Sequence, residues 1–518
     1  MSSSFYGIQI AKSGLSVSQQ QLNVTAHNIS NVNTAGYTRQ TLATSSIPSA
    51  TMNVQFTSHK TDVGQGVRAD GVLQIRNAFL DYQYRDQTSL ASKWSAKEQY
   101  FGYIEDLFNN ELEDTDKSGG AGISSVLADF YSSLDSLNET PASATARANV
   151  QQNAIKLTQT INDYYNTLVS QQQALNDNVK TTVDQINGYA EQIANLNQQI
   201  AGYELSGDYA NDLRDQRNQV LDALSGLVQF NYTEDNAGNV NIQVGGRNLV
   251  YGTNASQLAV DSTLTNPIKA GTQNNLYQVY WADSHGNPTS SKVGITGGAL
   301  AGYLDVRDGN STDTKGIPYI VGQLDNLCQN ITKEVNAVHK TGYTLPNVEN
   351  GNVSQKGINF FKDTSAAQDA SLVTAANFSL SDEVLQSIYN IAASDTQVTL
   401  DSSGNMQQGN GKIALLLSKL VDQTNSAGNT TSFSSLYRSI VAGVGIEMNH
   451  IQNTADTHVV LQSHLTDQKR SISDVSLDEE MTNMIQFQHA YSAASRVITA
   501  MDEQLNTLIN RTGLVGRA

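Results

Sequence analysis

The chain has 518 residues, with 31 basic against 49 acidic side chains, a net charge of −18, and one cysteine, Cys328. That length exceeds what one core normally organises, so several domains are expected, while the acid excess argues against a phosphate-binding surface and hence against nucleic acid as a partner. A lone cysteine excludes an intramolecular disulfide framework, and Cys328 reads as a small core hydrophobe rather than a reactive thiol. The start, Met1-Ser2-Ser3-Ser4-Phe5-Tyr6, has no basic region of a secretory signal, and no apolar run approaches the roughly 18 residues of a membrane span. Taken alone, this predicts a cytoplasmic chain without membrane insertion.

In chain order, Ile8, Leu15, Leu22 and Ile29 recur every seven residues, with Ala11 and Ala26 on the same stripe, which predicts a helix over residues 4–31. Gly7 and Gly14 inside it each cost about 1 kcal/mol relative to alanine, and either permit close helix approach or simply weaken the helix. The cluster Asn31-Val32-Asn33-Thr34-Ala35-Gly36 ends it. An irregular stretch with a strand-like segment at 66–73 leads to a helix over 75–109 and then an acidic, glycine-rich loop over 111–122. Beyond Pro141, apolar positions from Val150 to Ile200 alternate in steps of three and four, predicting a long rod-like helix with one skip near residues 171–179.

From about residue 229 the period changes to two. Val240, Ile242 and Val244, then Tyr277, Val279 and Trp281, alternate with polar residues, and Asp235-Asn236-Ala237-Gly238 and Asp283-Ser284-His285-Gly286-Asn287-Pro288 read as turns. A small β domain is therefore expected over 230–298. Helical pattern returns at Leu324, Leu327, Ile331, Val335 and Val338, and a second short β element is expected near Val398 and Leu400. Helices over 413–421 and 435–471 lead to Ser476-Leu477-Asp478-Glu479, which has the form of a capping box, followed by an a/d heptad pattern: Met484, Tyr491, Ile498 and Leu505, with Phe487, Ala494, Met501 and Leu508. Arg511 and Gly513 mark the end of this last helix.

No catalytic constellation stands out. Residues 404–413 approach a phosphate loop but put Met406 where the first glycine belongs and Ile413 where Ser or Thr belongs, and Asp401-Ser402-Ser403-Gly404-Asn405 reads as a hairpin turn rather than a calcium loop. His450, His458 and His464 share one helical region at spacings of eight and six, which do not set a metal site on one face, so they read as single solvated side chains. No H-E-x-x-H or G-x-S-x-G occurs. No enzyme activity, cofactor or metal is expected.

An amphipathic stripe is more often a core face than an assembly seam. Here both heptad stripes lie at the chain ends, and they flank residues that carry a resemblance. Asn28-Ile29-Ser30-Asn31-Val32-Asn33-Thr34-Ala35-Gly36-Tyr37-Thr38-Arg39-Gln40 resembles the N-terminal signature of the flagellar axial proteins, the family of rod, hook and hook-associated subunits. Val475-Ser476-Leu477-Asp478-Glu479-Glu480-Met481 narrows it to the hook-associated branch. Further matches are Arg76-Asn77-Ala78-Phe79-Leu80-Asp81, Asp212-Leu213-Arg214-Asp215-Gln216-Arg217-Asn218-Gln219 and the segment from Gly297 to Asp308. Ala35 departs from the pattern, where the family usually has proline, and this bears only on the rigidity of the turn.

Helices at both ends with β material between them predict a multidomain α+β chain of nested architecture. Its expected parts are a terminal coiled-coil-like helix pair (1–36 with 476–518), a long-helix bundle (37–229, 299–349 and 412–475), a β-rich insert (230–298) and a second short mixed or β insert (350–411). The resemblance implies a structural subunit at the junction of hook and filament, exported without a cleaved signal and assembled outside the cell. Implied partners are copies of itself in a ring, the hook protein below, a second hook-associated protein above, and a cytoplasmic export chaperone on the C-terminal helix, held by the face of Met484, Phe487, Tyr491 and Met501. The assembly interface is expected at Ile8, Leu15, Leu22, Ile29, Met484, Phe487, Tyr491, Ile498, Met501, Leu505 and Leu508. The signature residues are Asn28, Asn31, Asn33, Gly36, Tyr37, Leu477, Asp478, Glu479 and Glu480. Both ends are expected to be largely disordered in the free subunit and to order on assembly. Competing readings are another, hook-like axial subunit, or an adhesin acting through the β inserts.

Overall fold

A computed structural model describes residues 4–48, 64–109, 122–269, 271–346, 353–362, 372–400, 409–421 and 432–511. The chain begins with α1 (Ser4–Ser30) and an antiparallel ribbon of β1 (Gln40–Ile47) and β2 (Gly66–Gln74), in which Gln40 faces Gln74 and a bulge falls between Ala43 and Thr44. Four helices follow: α2 (Ala78–Asn109), α3 (Ile123–Glu139), α4 (Ala144–Glu204) and α5 (Asn211–Leu227). Two antiparallel sheets come next. One contains β3 (Asn231–Glu234), β4 (Val240–Val244), β5 (Arg247–Tyr251) and β6 (Asn254–Ala255); the other contains β7 (Leu258–Leu264), β8 (Leu276–Ala282) and β9 (Pro288–Lys292). The return path is helical: α6 (Gly298–Asp308), α7 (Ile317–His339), a short α8 (Asp382–Gln386), α9 (Lys412–Ser418), α10 (Phe433–Ser473) and α11 (Leu477–Arg511). The fold is thus mostly helical with small antiparallel sheets in the middle, and its first and last helices pack together, as the periodicity predicts.

The backbone of this plan is α4, 61 residues long and so about 90 Å from end to end. Ser143 caps its start by accepting a hydrogen bond from the Ala146 N–H. Its first half, from Val150 to Leu175, shares a core with the end of α2, with α3, α7 and α9, and with the start of α10. Its second half, from Val179 to Ala194, shares a separate core with α5, α6 and the two sheets. The skip in the apolar pattern coincides with buried polar side chains on an unbroken helix. There Gln172 donates to Arg307 O at 3.1 Å, and Asn176 Oδ1 accepts from the Tyr277 N–H at 2.7 Å and from Arg307 at 2.9 Å.

Further along α4, amide side chains act as extra strand partners. Asn187 exchanges two hydrogen bonds with the backbone of Leu258, both 2.8 Å. Asn197 takes the Val240 N–H and donates to Val240 O and Gly252 O. The sheets of residues 231–292 are therefore fastened to α4 and share its core.

Residues 353–362 and 372–400 are different. They contain isolated bridges, such as Phe361 with Leu380, but no strand among the described residues, so the β element expected near Val398 and Leu400 is not formed as one. Buried backbone without a ladder needs other partners. They come from helix side chains: Gln151 to Val384 O at 2.6 Å, Asn162 to Ala375 O at 2.7 Å, and Asn336 to the N–H groups of both Phe360 and Phe361 at 2.9 Å. The β1 strand, in a stretch that reads as irregular, and α3, between the expected loop and the long helix, are further departures; Gln40-Thr41-Leu42-Ala43-Thr44-Ser45-Ser46-Ile47 carries little apolar alternation. The loop expected over 111–122, up to residue 121, and the turn over 401–405 lie outside the described residues.

Candidate assembly interface

α1 and α11 run antiparallel, with Gly7 against the Met501 side chain at one end and Asn28 bonded to Glu480 at the other. At Gly7 the end of the Met501 side chain occupies the place a Cβ would take, so a larger residue there would make that flexible side chain shift, whereas Gly14 faces open space. The seam of α1 consists of Ile8, Leu15, Leu22 and Ile29, all half-buried, alternating with Ala11, Ser18 and Thr25, which are buried; Ala26 is exposed and lies off the stripe. Small residues between large ones let the partner's side chains reach close to the α1 backbone. On α11, Met484, Phe487, Tyr491, Ile498, Met501 and Leu505 are half-buried against this seam, and Leu508 is 51% exposed.

The other flank of α1 lies on the β1–β2 ribbon, where Ser13 Oγ takes the Val67 N–H at 3.2 Å. Among the described residues, α11 packs chiefly on α1, with Glu479 and Glu480 of its first turn reaching Arg39. Met481, Ile485, Val497 and Ile509 stand outward, 46–74% exposed, at separate positions around a helix of mixed composition.

Beneath the helix pair is a polar joint that ties it to the bundle, and Asn28 is its centre. Its side chain donates to Gln40 O at 2.9 Å and takes the Gln40 N–H at 3.0 Å, as a strand partner would. It also accepts from the Tyr37 hydroxyl at 2.7 Å and donates to Glu480 at 3.1 Å. Burial and the nearby Asp212, Asp215 and Glu480 push the Tyr37 hydroxyl up, which keeps it a donor. Arg39 bonds the buried Glu480 at 2.8 Å and Glu479 at 2.6 Å, and its N–H reaches Ser473 O at 2.8 Å. Glu479 therefore turns to Arg39 rather than closing a capping box with Ser476. Asn31 donates to His27 O at 3.0 Å and begins the turn, and Gly36 has φ +76 with the Gln219 side chain packed where a Cβ would be. Gln219 also donates to Ala35 O, which holds the turn at the position where the family usually has proline. Asn33 is exposed at the tip of the turn, and Leu477 and Asp478 are exposed in the first turn of α11.

The joint continues into the bundle. Asp215 takes the Thr38 N–H and hydroxyl at 2.9 and 2.6 Å, Arg76 pairs with Asp81, and Lys469 lies 2.6 Å from Asp222 and 3.6 Å from Asp81. Arg85, 4% exposed, bonds Asp222 at 2.7 Å. Burial opposes ionisation of Asp222, but Arg85 and Lys469 outweigh it and hold its carboxyl below the usual range; at Asp215 burial wins and raises it. A polar cleft of about 390 Å³ opens between the turn, the middle of α5 and the end of α10. The carboxylates of the joint are each turned to cations, amides or hydroxyls, so the arrangement is a fastening.

Sequence reasoning marks both ends of this joint and misses its middle. Arg76, Asp81 and Asp215 lie inside matched segments, but nothing in the sequence pairs them with Lys469, Asp222 or Arg85. The histidines of α10 are spread apart: His450 meets the Trp94 ring edge-on, His458 bonds Gln87, and His464 is exposed. Cys328 is fully buried on α7. Among the described residues no group of His, Cys, Asp or Glu could hold a metal ion, and no helix is long and apolar enough to cross a membrane.

Comparison with known proteins converges on these elements. Residues 8–38 match the family model for flagella basal body rod protein, residues 109–361 that for the flagellar hook-associated protein FlgK helical domain, and residues 471–511 that for the flagellar basal body rod FlgEFG protein C-terminal region. The chain is 32% identical to flagellar hook-associated protein 1 of Bacillus subtilis (strain 168), over the whole of both chains. It is 26% identical to the protein of that name from Escherichia coli (strain K12), over 97% of this chain and 99% of the other. A solved structure of the flagellar hook junction protein FlgK from Burkholderia pseudomallei shares the fold, with a TM-score of 0.60 at 18% identity, covering 76% of this chain and all of that one.

Proposed function

Because the chain belongs to the flagellar hook-associated protein 1 family, we propose that it is the structural subunit that joins hook to filament, entering the axial structure through its terminal helices. The observation that carries this reading is the α1–α11 pair, whose large seam residues are only half-buried and whose Met481, Ile485, Val497 and Ile509 are exposed, held on a saturated polar joint. A helix pair of this kind gains packing when copies and neighbouring axial proteins surround it. The family is structural, and neither the adhesin nor the hook-like reading is favoured by relatives that match over the full length.

The finer reading follows from the same elements. Copies form a ring with the hook protein on one side and a second hook-associated protein on the other, outside the cell. The seam residues Ile8, Leu15, Leu22, Ile29, Met484, Phe487, Tyr491, Ile498, Met501, Leu505 and Leu508 carry that assembly, and a cytoplasmic export chaperone covers the face of Met484, Phe487, Tyr491 and Met501 beforehand. A subunit with different surfaces on its two axial sides would add to itself indefinitely unless something stopped it. Fraying of α1 and α11 in the free subunit supplies the stop, and the ordered end of a hook supplies the template.

Purified chain added to isolated hooks should bind their ends in a single layer visible by electron microscopy, and remain monomeric without them. Filaments formed by the chain alone would overturn the templating step, and failure to bind any hook end would overturn the assignment to this junction.

A further inference from the structure

His339, on the last turn of α7, is fully buried. Its Nδ1 lies 2.7 Å from Ile358 O, so that nitrogen carries the proton and donates; its Nε2 accepts the Ala392 N–H at 2.8 Å, so that nitrogen is bare. The two bonds fix a neutral imidazole in one tautomer. They also tie both halves of the irregular insert to α7 through one ring, since Ile358 belongs to residues 353–362 and Ala392 to residues 372–400. The ring of Phe360 meets the imidazole edge-on, 5.4 Å between centres.

The charged group that bears on this ring comes from α4. Arg147 is 1% exposed, donates to the carbonyls of Pro141 and Ile391, and among the described residues has no carboxylate partner; burial lowers it to about 9. From the insert, Tyr389 is the titratable group within reach of Arg147, and α7 itself places the uncharged Asn336 one turn away. Among the described residues no carboxylate acts on His339, and burial lowers it to about 4. Protonating Nε2 would point two N–H donors at each other and set a second buried cation near Arg147.

We infer that residues 353–362 and 372–400 form an acid-released flap, latched to α7 by neutral His339 and opened when that imidazole is protonated. Opening is local because α4 and α7 keep their own helical hydrogen bonds, whereas the insert has no ladder and is held by side-chain bonds, isolated backbone bonds and aromatic contacts, Phe360 and Phe361 with Phe130 and Phe378 with Phe361. The open histidine binds its proton near pH 6.5 and the closed one near 4. The opening constant therefore rises about tenfold for each pH unit between those values as pH falls, and the latch is fully set above about 6.5.

Hydrogen exchange by mass spectrometry on the full chain, with exchange times scaled for the intrinsic rate, tests this at pH 7.0 and 4.5. Peptides from 353–362 and 372–400 should lose about 60-fold protection while those of α4 and α7 keep theirs. Unchanged protection of the insert, or equal loss in α4 and α7, would overturn the flap. His339→Gln, whose carboxamide oxygen can still take the Ala392 N–H but does not titrate, should flatten the dependence; retention of the full dependence would overturn the role of His339. Should that variant not fold, ¹⁵N-histidine spectra of the wild-type chain decide: an Nδ1–H tautomer titrating near 4 supports the latch, and a chain in which every imidazole titrates near 6.5 refutes it.

Discussion

The terminal helix pair and the bundle use the same apolar alphabet to opposite ends. In the bundle, Phe108, Phe130, Leu157, Ile161 and Leu324 are fully buried, and the apolar positions along α4 are closed by neighbours of the same chain. In the pair, residues of similar size stop at half-burial, and Met481, Ile485 and Val497 face outward. Since burial contributes roughly 25 cal/mol per Å², the bundle gains from its own packing what the pair can gain only from other subunits. Where an apolar stripe is left unfinished is thus as informative as where it is completed.

Substitutions can break this contrast, beginning with the largest expected effect. Phe108→Ala should lower the stability of the bundle by about 4 kcal/mol, read from its denaturant midpoint, because a fully buried ring packed on Tyr164 leaves a cavity; a loss below about 1 kcal/mol would mean that this core is not as closed as its burial implies. Asp222→Ala leaves Arg85 buried without its carboxylate and should cost about 3 kcal/mol, more than a surface ion pair could explain. Asn28→Ala removes the bonds to Gln40, Tyr37 and Glu480 and should cost about 2 kcal/mol, with faster hydrogen exchange in α1 and α11 but not in α4. Equal loosening of α4 would show that pair and bundle unfold together.

The smallest effect on the free chain should come from an outward residue. Ile485→Ser is expected to shift its stability by no more than about 0.5 kcal/mol and yet to weaken binding to hook ends in a sedimentation assay. If the substitution destabilised the free chain by several times that amount, Ile485 would belong to an intramolecular core instead.

The periodic parts of this architecture were legible in the sequence. The heptads of α1 and α11 and the alternating β4 and β8 follow from spacing alone, since their apolar residues share one face. Ser18 and Thr25 were not legible as seam positions because small polar residues carry no periodic apolar signal. The amides that fasten the sheets, Asn187 and Asn197, read like the many surface amides of the chain, and only the position of a strand edge distinguishes them. The same holds for the polar joint. Asn28, Arg39, Asp215, Lys469 and Glu480 come from widely separated segments, and a pairing between them exists only once the chain has gone out and come back.

The continuity of α4 has a mechanical corollary. One uninterrupted helix supplies a wall to both cores, so a push or twist delivered to the sheet-bearing end reaches the helical end without crossing a loop. Relative rotation of the two halves would require bending that helix or stripping Gln172, Asn176, Asn187 and Asn197 from their partners. The subunit is braced as a strut, and load passes between it and the helix pair through the fastened connection around residues 31–40.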